Sequence, residues 1–290
     1  MVVLVAGAGG QLGQSLQHIA SNYAEIEFVF CNSSELDITN LSSVETIFSK
    51  HKPQFCINAA AYTAVDKAES EPEKAYLINV SGSKNLAIIC NQFSATLLHV
   101  STDFVFDGTA TKPYLETDNT NPTSVYGQTK LDGEKAIQSI CAKHYIIRTS
   151  WVYSQFANNF MKTMLRLAAQ RDTLSVVNDQ IGTPTNAVDL AEILINIIKT
   201  DNQQSDSNNR FGIYNFSNEG SCSWFDFAKQ IFENNNVQIA LSGIPSSEYP
   251  TPAKRPHYSV LDKTKIKTTF GIEIKTWQES LKNVGRLNAT

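Results

Sequence analysis

Short apolar runs alternate with longer stretches of three-to-four spacing through the first 180 residues. The runs are VVLVA at 2–6, EFVFC at 27–31, QFCIN at 54–58, ATLLHVS at 95–101, YIIRTS at 145–150 and LSVVN at 174–178. Their apolar residues come in blocks rather than alternating, which marks strands covered on both faces. Between them, QLGQSLQHIASNY and PEKAYLINVSGSKNLAIICNQF carry helical spacing. The second is preceded by a start signal: Ser70 and Glu73 have the spacing of a capping box, and Pro72 suits an early helical position. Strand, helix and strand repeated in this way predict an α/β fold with a doubly wound parallel sheet of the Rossmann type.

After about residue 180 the rhythm changes. NAVDLAEILINIIKT at 186–200 predicts an amphipathic helix, and the polar DNQQSDSNN at 201–209 predicts an exposed loop. FGIYNFS at 211–217 returns as a strand, and SWFDFAKQIFENN at 223–235 opens on a Ser-x-x-Asp cap and continues as a helix. IPSSEYPTPAKRPH at 244–257 holds four prolines, which exclude a regular helix or central strand. The expected organisation is a Rossmann domain over 1–180, completed by the strand near 211–217, and a smaller α/β substrate-binding domain over 181–290.

Composition narrows the function classes. The net charge is -4 and no Lys/Arg cluster stands out, so a nucleic-acid partner is not expected. The first apolar run is short, lacks a basic flank and is broken at Gly7, unlike a signal peptide or a membrane span. Five cysteines lie far apart, at 31, 56, 90, 141 and 222, with no C-x-x-C. They read as reduced core thiols of a cytoplasmic protein.

The first chemistry lies in VVLVAGAGGQLGQSL. Gly7, Gly10 and Gly13 follow the first strand directly and open the first helix. One glycine allows the tight turn, one lets a pyrophosphate approach the backbone and one lets helix pack on strand, while the helix N-terminus offers free N–H groups to phosphate. This context predicts dinucleotide binding. The G-x-x-G-x-x-G spacing resembles the extended branch of the short-chain dehydrogenase/reductase superfamily. Neither Asp nor Arg closes the second strand, where Asn32 and Ser33 are neutral, so NADH and NADPH both remain open as cofactor. Asp37 followed by Ile38 looks like the superfamily's adenine contact; the plain alternative for Asp37 is a turn residue before a helix.

SVYGQTKLDGEKAI at 124–137 sets Tyr126 and Lys130 four apart on one helix face, after a start signal at Pro122 and Thr123. A free phenol is a poor acid near neutrality, and a nearby ammonium favours its phenolate. A carbonyl reduced by hydride needs a proton on its oxygen, and a tuned tyrosine can give it. Ser101 and Thr102 supply hydroxyls at a strand's C-terminal end, where ligands bind in this architecture. His99, inside the same apolar strand, reads as a packed core histidine.

With these blocks in place, the chain resembles the dTDP-4-dehydrorhamnose reductase family. The resemblance runs through NAAAYTAVDKAESEPEKAYLIN (58–79), STDFVFDG (101–108), YGQTKLDGE (126–134), RTSWVY (148–153), VNDQIGTPT (177–185) and YPTPAKRPHYSVLD (249–262). It implies NADPH or NADH as cofactor and reduction of the C4 keto group of a dTDP-4-keto-6-deoxy sugar. Gly7, Gly10, Gln11 and Leu12 would hold the pyrophosphate, Asp37 and Ile38 would flank the adenine, and Ala59, Ala60 and Ala61 would line the dinucleotide. Tyr126 would donate the proton, and Lys130 would hold the nicotinamide ribose and tune Tyr126. Thr102 would bond the substrate carbonyl, with Asp103 on the sugar and Trp151 packed on its ring. Asn178, Asp179 and Gln180 are further candidates for sugar or nucleotide contact, and Lys254 and Arg255 for the substrate diphosphate. Some members are described as homodimers joined through magnesium and interface carboxylates. An acid the family can carry early in the first helix is Ser15 here, so no metal is expected. Two rival readings come from relatives. A 4,6-dehydratase carries an Asp-Glu pair after the strand-end threonine, whereas Phe104 follows Asp103 here; a 4-epimerase is less firmly excluded. A non-catalytic dinucleotide-binding regulatory subunit is disfavoured by intact Thr102, Tyr126 and Lys130.

Overall fold

The computed structural model describes residues 1–203 and 210–284. The first half alternates as its pattern predicts: β1 (Val2–Ala6), α1 (Gln11–Ile19), β2 (Glu27–Cys31), α2 (Leu41–His51), β3 (Phe55–Asn58), α3 (Val65–Ala68) and α4 (Pro72–Tyr76). A π-helical turn at Leu77–Gly82 leads into α5 (Ser83–Gln92), β4 (Thr96–Thr102), α6 (Val125–Ile140) and β5 (His144–Thr149). The second half holds β6 (Val152–Tyr153), α7 (Phe160–Ala168), β7 (Thr173–Val177), β8 (Ile181–Gly182), β9 (Thr185–Asn186) and α8 (Ala187–Gln203). After it come β10 (Gly212–Asn215), β11 (Cys222–Ser223), α9 (Trp224–Asn235), β12 (Ala240–Ile244), α10 (Thr264–Phe270) and α11 (Trp277–Asn283).

The central sheet has the order β10-β5-β4-β3-β1-β2, and every neighbouring pair is parallel. Its strands read as apolar blocks because helices cover both faces. On one face Leu12, Leu16 and Ile19 of α1 meet Leu190, Leu194 and Ile197 of α8. On the other, Val44 and Phe48 of α2 pack with Leu86, Ile89 and Cys90 of α5 and Ile137 of α6. Away from the sheet, Met161 and Leu165 of α7, Phe227 and Ile231 of α9, and Trp277 and Leu281 of α11 form a smaller apolar cluster. All five cysteines are free and buried. No helix among the described residues is long and apolar enough to cross a membrane.

Three local expectations change. Ser70 does not cap α4: its hydroxyl donates to the Lys67 carbonyl at 3.1 Å, closing the turn after α3, and Glu71 occupies the N-cap without a side-chain bond. Pro72 does sit in the first turn of α4. The run at 174–178 is a strand, but it pairs with β12 instead of joining the central sheet. Residues 201–203 of the expected loop extend α8, and the rest of that loop lies outside the described residues. By contrast, α9 has the reciprocal Ser223–Asp226 capping box its sequence predicts.

Candidate active site

In this strand order the chain winds away from β1 in both directions, so the crevice at the carboxyl ends of β1 and β3 is the switch point where ligands bind. Gly7 follows β1 with φ +83°, a conformation that side chains disfavour, and a Cβ there would lie 2.6 Å from the Ala60 nitrogen. The glycine loop therefore packs directly on the alanine run after β3. A Cβ on Gly13 would meet Ala8 Cα and the Gly7 carbonyl at 2.5 Å, so this glycine closes helix onto loop. Gly9 and Gly10 are exposed, and a Cβ on Gly9 would meet nothing within 4 Å. A strained turn, a tight helix start and an open backbone edge make a cradle that fits a pyrophosphate. Leu12 is buried in the core, so only its backbone can serve that cradle. Gln11 is tied by its side chain to β6 and beyond: Nε2 donates to the Val152 carbonyl at 3.3 Å, and Oε1 accepts from Ser154 at 3.1 Å. Ser15 is buried and donates to the Gln11 carbonyl at 2.9 Å.

Along the edge, Ala59, Ala60 and Ala61 are half-buried. Asp37 is exposed, and its Oδ1 accepts from the Thr39 N–H at 2.9 Å and the Thr39 hydroxyl at 2.7 Å. Those contacts make Asp37 a turn residue ahead of α2. Ile38 is buried, with its side chain where a Cβ on Gly82 would fall, at 2.6 Å.

Thr102, Asp103 and Tyr126 gather at the end of β4. Ser124 caps α6 through the Gly127 N–H at 3.2 Å, which places Tyr126 and Lys130 in the opening turns. Thr102 ends β4; its hydroxyl donates to Asp103 Oδ1 at 2.9 Å and accepts from the Phe104 N–H. Phe104 packs edge-on against Tyr126, with centroids 5.5 Å apart. Burial pushes the Tyr126 phenol up to about 12; a hydrogen bond with Thr102 holds it down and the Asp103 carboxylate adds to the rise. Asp103 itself is pushed up to about 6 by burial, opposed by the Ser259 and Thr102 side chains and by main-chain N–H groups. Its Oδ2 has no partner that meets strict hydrogen-bond geometry, so Ser259 lies near it without a well-aligned bond.

Lys130 departs from expectation. The ammonium is not among the groups that move Tyr126. Instead Nζ donates to the Val100 carbonyl at 2.6 Å and lies 3.2 Å from His99 Nε2. Burial pulls Lys130 down to about 8, with Glu134 opposing. The two strand-end hydroxyls also divide: Thr102 faces Tyr126, whereas Ser101 donates to Glu134 at 2.5 Å. Glu134 in turn takes a forked bond from buried Arg148, at 3.0 Å from Nε and 2.7 Å from Nη2.

Towards the smaller cluster, Trp151 adopts φ +46° and stacks on Trp224 at 3.6 Å, with rings 10° from parallel. A non-glycine residue in that region is costly and concentrates at ligand sites. Trp151 connects to Asp103 through Gly182 and Ser259: a Cβ on Gly182 would lie 2.6 Å from the Trp151 indole and 2.8 Å from the Ser259 hydroxyl. Other candidates are occupied structurally. The Asp179 carboxylate accepts from the Ser246 N–H at 2.9 Å and its hydroxyl at 2.5 Å, and Gln180 donates to the same hydroxyl at 3.0 Å. The Asn178 side chain lies where a Cβ on Gly243 would fall, at 2.5 Å. Arg255 makes a forked ion pair with Asp66, at 2.9 and 2.7 Å, while Lys254 is exposed.

A family model described as RmlD substrate binding domain matches residues 1–287. The chain is also similar to the dTDP-4-dehydrorhamnose reductase of Aggregatibacter actinomycetemcomitans, 45% identical over 97% of each chain. The chain belongs to the dTDP-4-dehydrorhamnose reductase family. A family crystal structure from Clostridium acetobutylicum superposes with a TM-score of 0.92 at 42% identity, covering 98% of each chain. One from Bacillus anthracis, in complex with NADP, does so with a TM-score of 0.92 at 38% identity and 98% coverage of each.

Within the family frame, sequence reasoning missed three groups beside the site. His99 is in the core as expected, but it is a polar link to Lys130. The Glu134–Arg148 pair is almost fully buried, at 1% and 3% side-chain exposure, under the strand-end serine. The Asp66–Arg255 pair joins residues 189 apart. The first two left a signal: a histidine and an arginine inside otherwise apolar strand blocks need buried partners.

Proposed function

We propose that the chain is an NAD(P)H-dependent oxidoreductase that reduces the C4 keto group of dTDP-4-dehydro-β-L-rhamnose to give dTDP-L-rhamnose. The observation that carries this reading is the meeting of the Tyr126 phenol and the Thr102 hydroxyl at the end of β4, in the same sheet as the Gly7–Ala60 cradle. The family relatives bearing that enzyme name support the substrate. The cradle fits NADPH or NADH, which supplies the hydride when bound. Gly7, Gly10 and the backbones of Gln11 and Leu12 would hold its pyrophosphate, Asp37 and Ile38 its adenine, Ala59, Ala60 and Ala61 its length, and Lys130 and Tyr126 its ribose.

The chain's own work is binding and proton delivery. Thr102 orients the carbonyl oxygen, with Asp103 and Trp151 on the sugar. Tyr126 keeps its proton at neutral pH because burial and Asp103 hold the phenol up near 12. It therefore enters the reaction as an acid. A sugar alkoxide is a stronger base than even this phenolate, so the transfer to O4 runs downhill. Phe104, against the Tyr126 ring, puts no acid where a dehydratase needs one.

The central sheet with β10 and the helices packed on it, α8 included, forms the dinucleotide half in this proposal, and the cluster of α7, α9 and α11 the sugar-nucleotide half, so the boundary expected near 180 becomes a chain that crosses between them. Five buried free thiols support the cytoplasm as compartment. A homodimer is proposed on the family resemblance alone, and light scattering tests it. For the activity, Tyr126→Phe should abolish NAD(P)H oxidation on dTDP-4-dehydrorhamnose while leaving cofactor binding within about threefold, because the variant loses only the proton it must give. Oxidation that persists in the variant contradicts the assignment.

A further inference from the structure

Behind Lys130 lies a chain of buried polar groups that proton delivery does not use. The Ala60 N–H donates to Asn58 Oδ1 at 3.2 Å, which turns Asn58 Nδ2 toward His99 Nδ1, 3.0 Å away. With Nδ1 accepting, the ring's single proton sits on Nε2, facing Lys130 Nζ at 3.2 Å. Nζ continues the chain by donating to the Val100 carbonyl. Asn58 is fully buried and His99 is 1% exposed, so no water shell softens the arrangement. An imidazole N–H and a full ammonium meet donor to donor. A neutral amine accepts the same N–H comfortably.

Resting on the reductase reading above, we propose that His99 is a positioning residue for Lys130: held by Asn58, it fixes Nζ over the end of β4 and holds back its charge by presenting an N–H. The surrounding titratable groups agree. Glu134 on α6 favours the ammonium, although its forked pair with Arg148 of β5 already engages the carboxylate, while burial and the His99 N–H work against the charge. Burial and the Lys130 charge both hold His99 well below the ordinary histidine range, so the ring is neutral. Because Asn58 also receives the Ala60 N–H, the device reaches the alanine run that lines the cofactor cradle.

Two amide substitutions separate the ring's nitrogens. His99→Gln places a polar atom near the position of Nε2 and keeps a contact for Nζ; His99→Asn places one near Nδ1 and loses it. Neither must present an N–H to the amine. Both should move the alkaline limb of kcat upward by at least about half a pH unit. The plateau kcat should fall about tenfold in His99→Asn and stay within about threefold in His99→Gln. Asn58→Leu, which frees the ring to turn its lone pair to Nζ, should raise the limb without removing His99, and serves if a His99 variant fails to fold. An unmoved limb in the folded variants, or equal plateau losses in both His99 variants, overturns the proposal. Should the wild type not turn over at all, the function reading fails by itself. The pH dependence of NADPH binding, read by fluorescence, then carries the same comparison.

Discussion

At the scale of single residues, the site depends on three buried ionisable groups that shift in different directions for one cause. Desolvation raises Tyr126 and Asp103 and lowers Lys130, because each charged form is disfavoured. If the reaction needs the Lys130 ammonium, kcat should decline as pH rises through about 8, where the residue loses its proton. A kcat that stays flat to pH 9.5 would contradict that role. Asp103 makes a separate prediction for stability. Its folded value, about 6, stands above the ordinary 3.8, so the native state binds the proton more tightly. Stability should then fall as pH rises through the window between those values and level off above it. The full difference corresponds to on the order of 3 kcal/mol. Asp103→Asn should flatten this fall, seen as a smaller change in Tm between pH 4.5 and 8. These shifts are not legible in sequence, because burial depends on which strands become neighbours. The placement of Tyr126 and Lys130 at the start of α6 and of Thr102 at the end of β4 was legible, since spacing and strand-end position are local.

At the scale of elements, α6 carries Tyr126 and Lys130 between two close approaches. A Cβ on Gly127 would lie 2.2 Å from the Phe104 carbonyl, and one on Gly133 would lie 2.4 Å from the Asn79 carbonyl in the π-helical turn. Helix propensity alone favours Gly133→Ala by about 1 kcal/mol. Overpacking against a backbone atom costs about 1–3 kcal/mol and should win here, since the carbonyl cannot rotate aside. Gly133→Ala should therefore lower Tm, and a raised Tm would show that α6 has slack. The strand and helix alternation was plain because buried parallel strands are written as apolar blocks. β12 escaped notice because ALSGI is mostly exposed and pairs only with β7. The π-helical turn also escaped, since its residues keep helical spacing while the hydrogen-bond ladder changes.

Across the whole molecule, the proline-rich segment is fastened to α3. Arg255 grips Asp66 before α4, and the Asp66 carboxylate also receives the Ala253 N–H at 3.2 Å. Prolines announce a rigid segment, but a pair 189 residues apart has no local signature. The ion pair is partly exposed, at 27% and 40%, so it should contribute only about 1 kcal/mol to stability. Asp66→Ala and Arg255→Ala should each lower Tm, and the double variant should lose less than the sum of the two. Additive losses would show that the residues act apart. Loosening the segment should also raise KM for the sugar nucleotide with little change in kcat.

The central claim is hydride delivery to C4 with the proton from Tyr126, and the position of an isotope reads it most directly. Incubation of the wild type with dTDP-4-dehydrorhamnose and NADPH carrying deuterium at the transferring position should give dTDP-L-rhamnose with deuterium at C4 alone, seen by proton NMR. Product without deuterium, or a changed sugar with no net oxidation of NADPH, would contradict it.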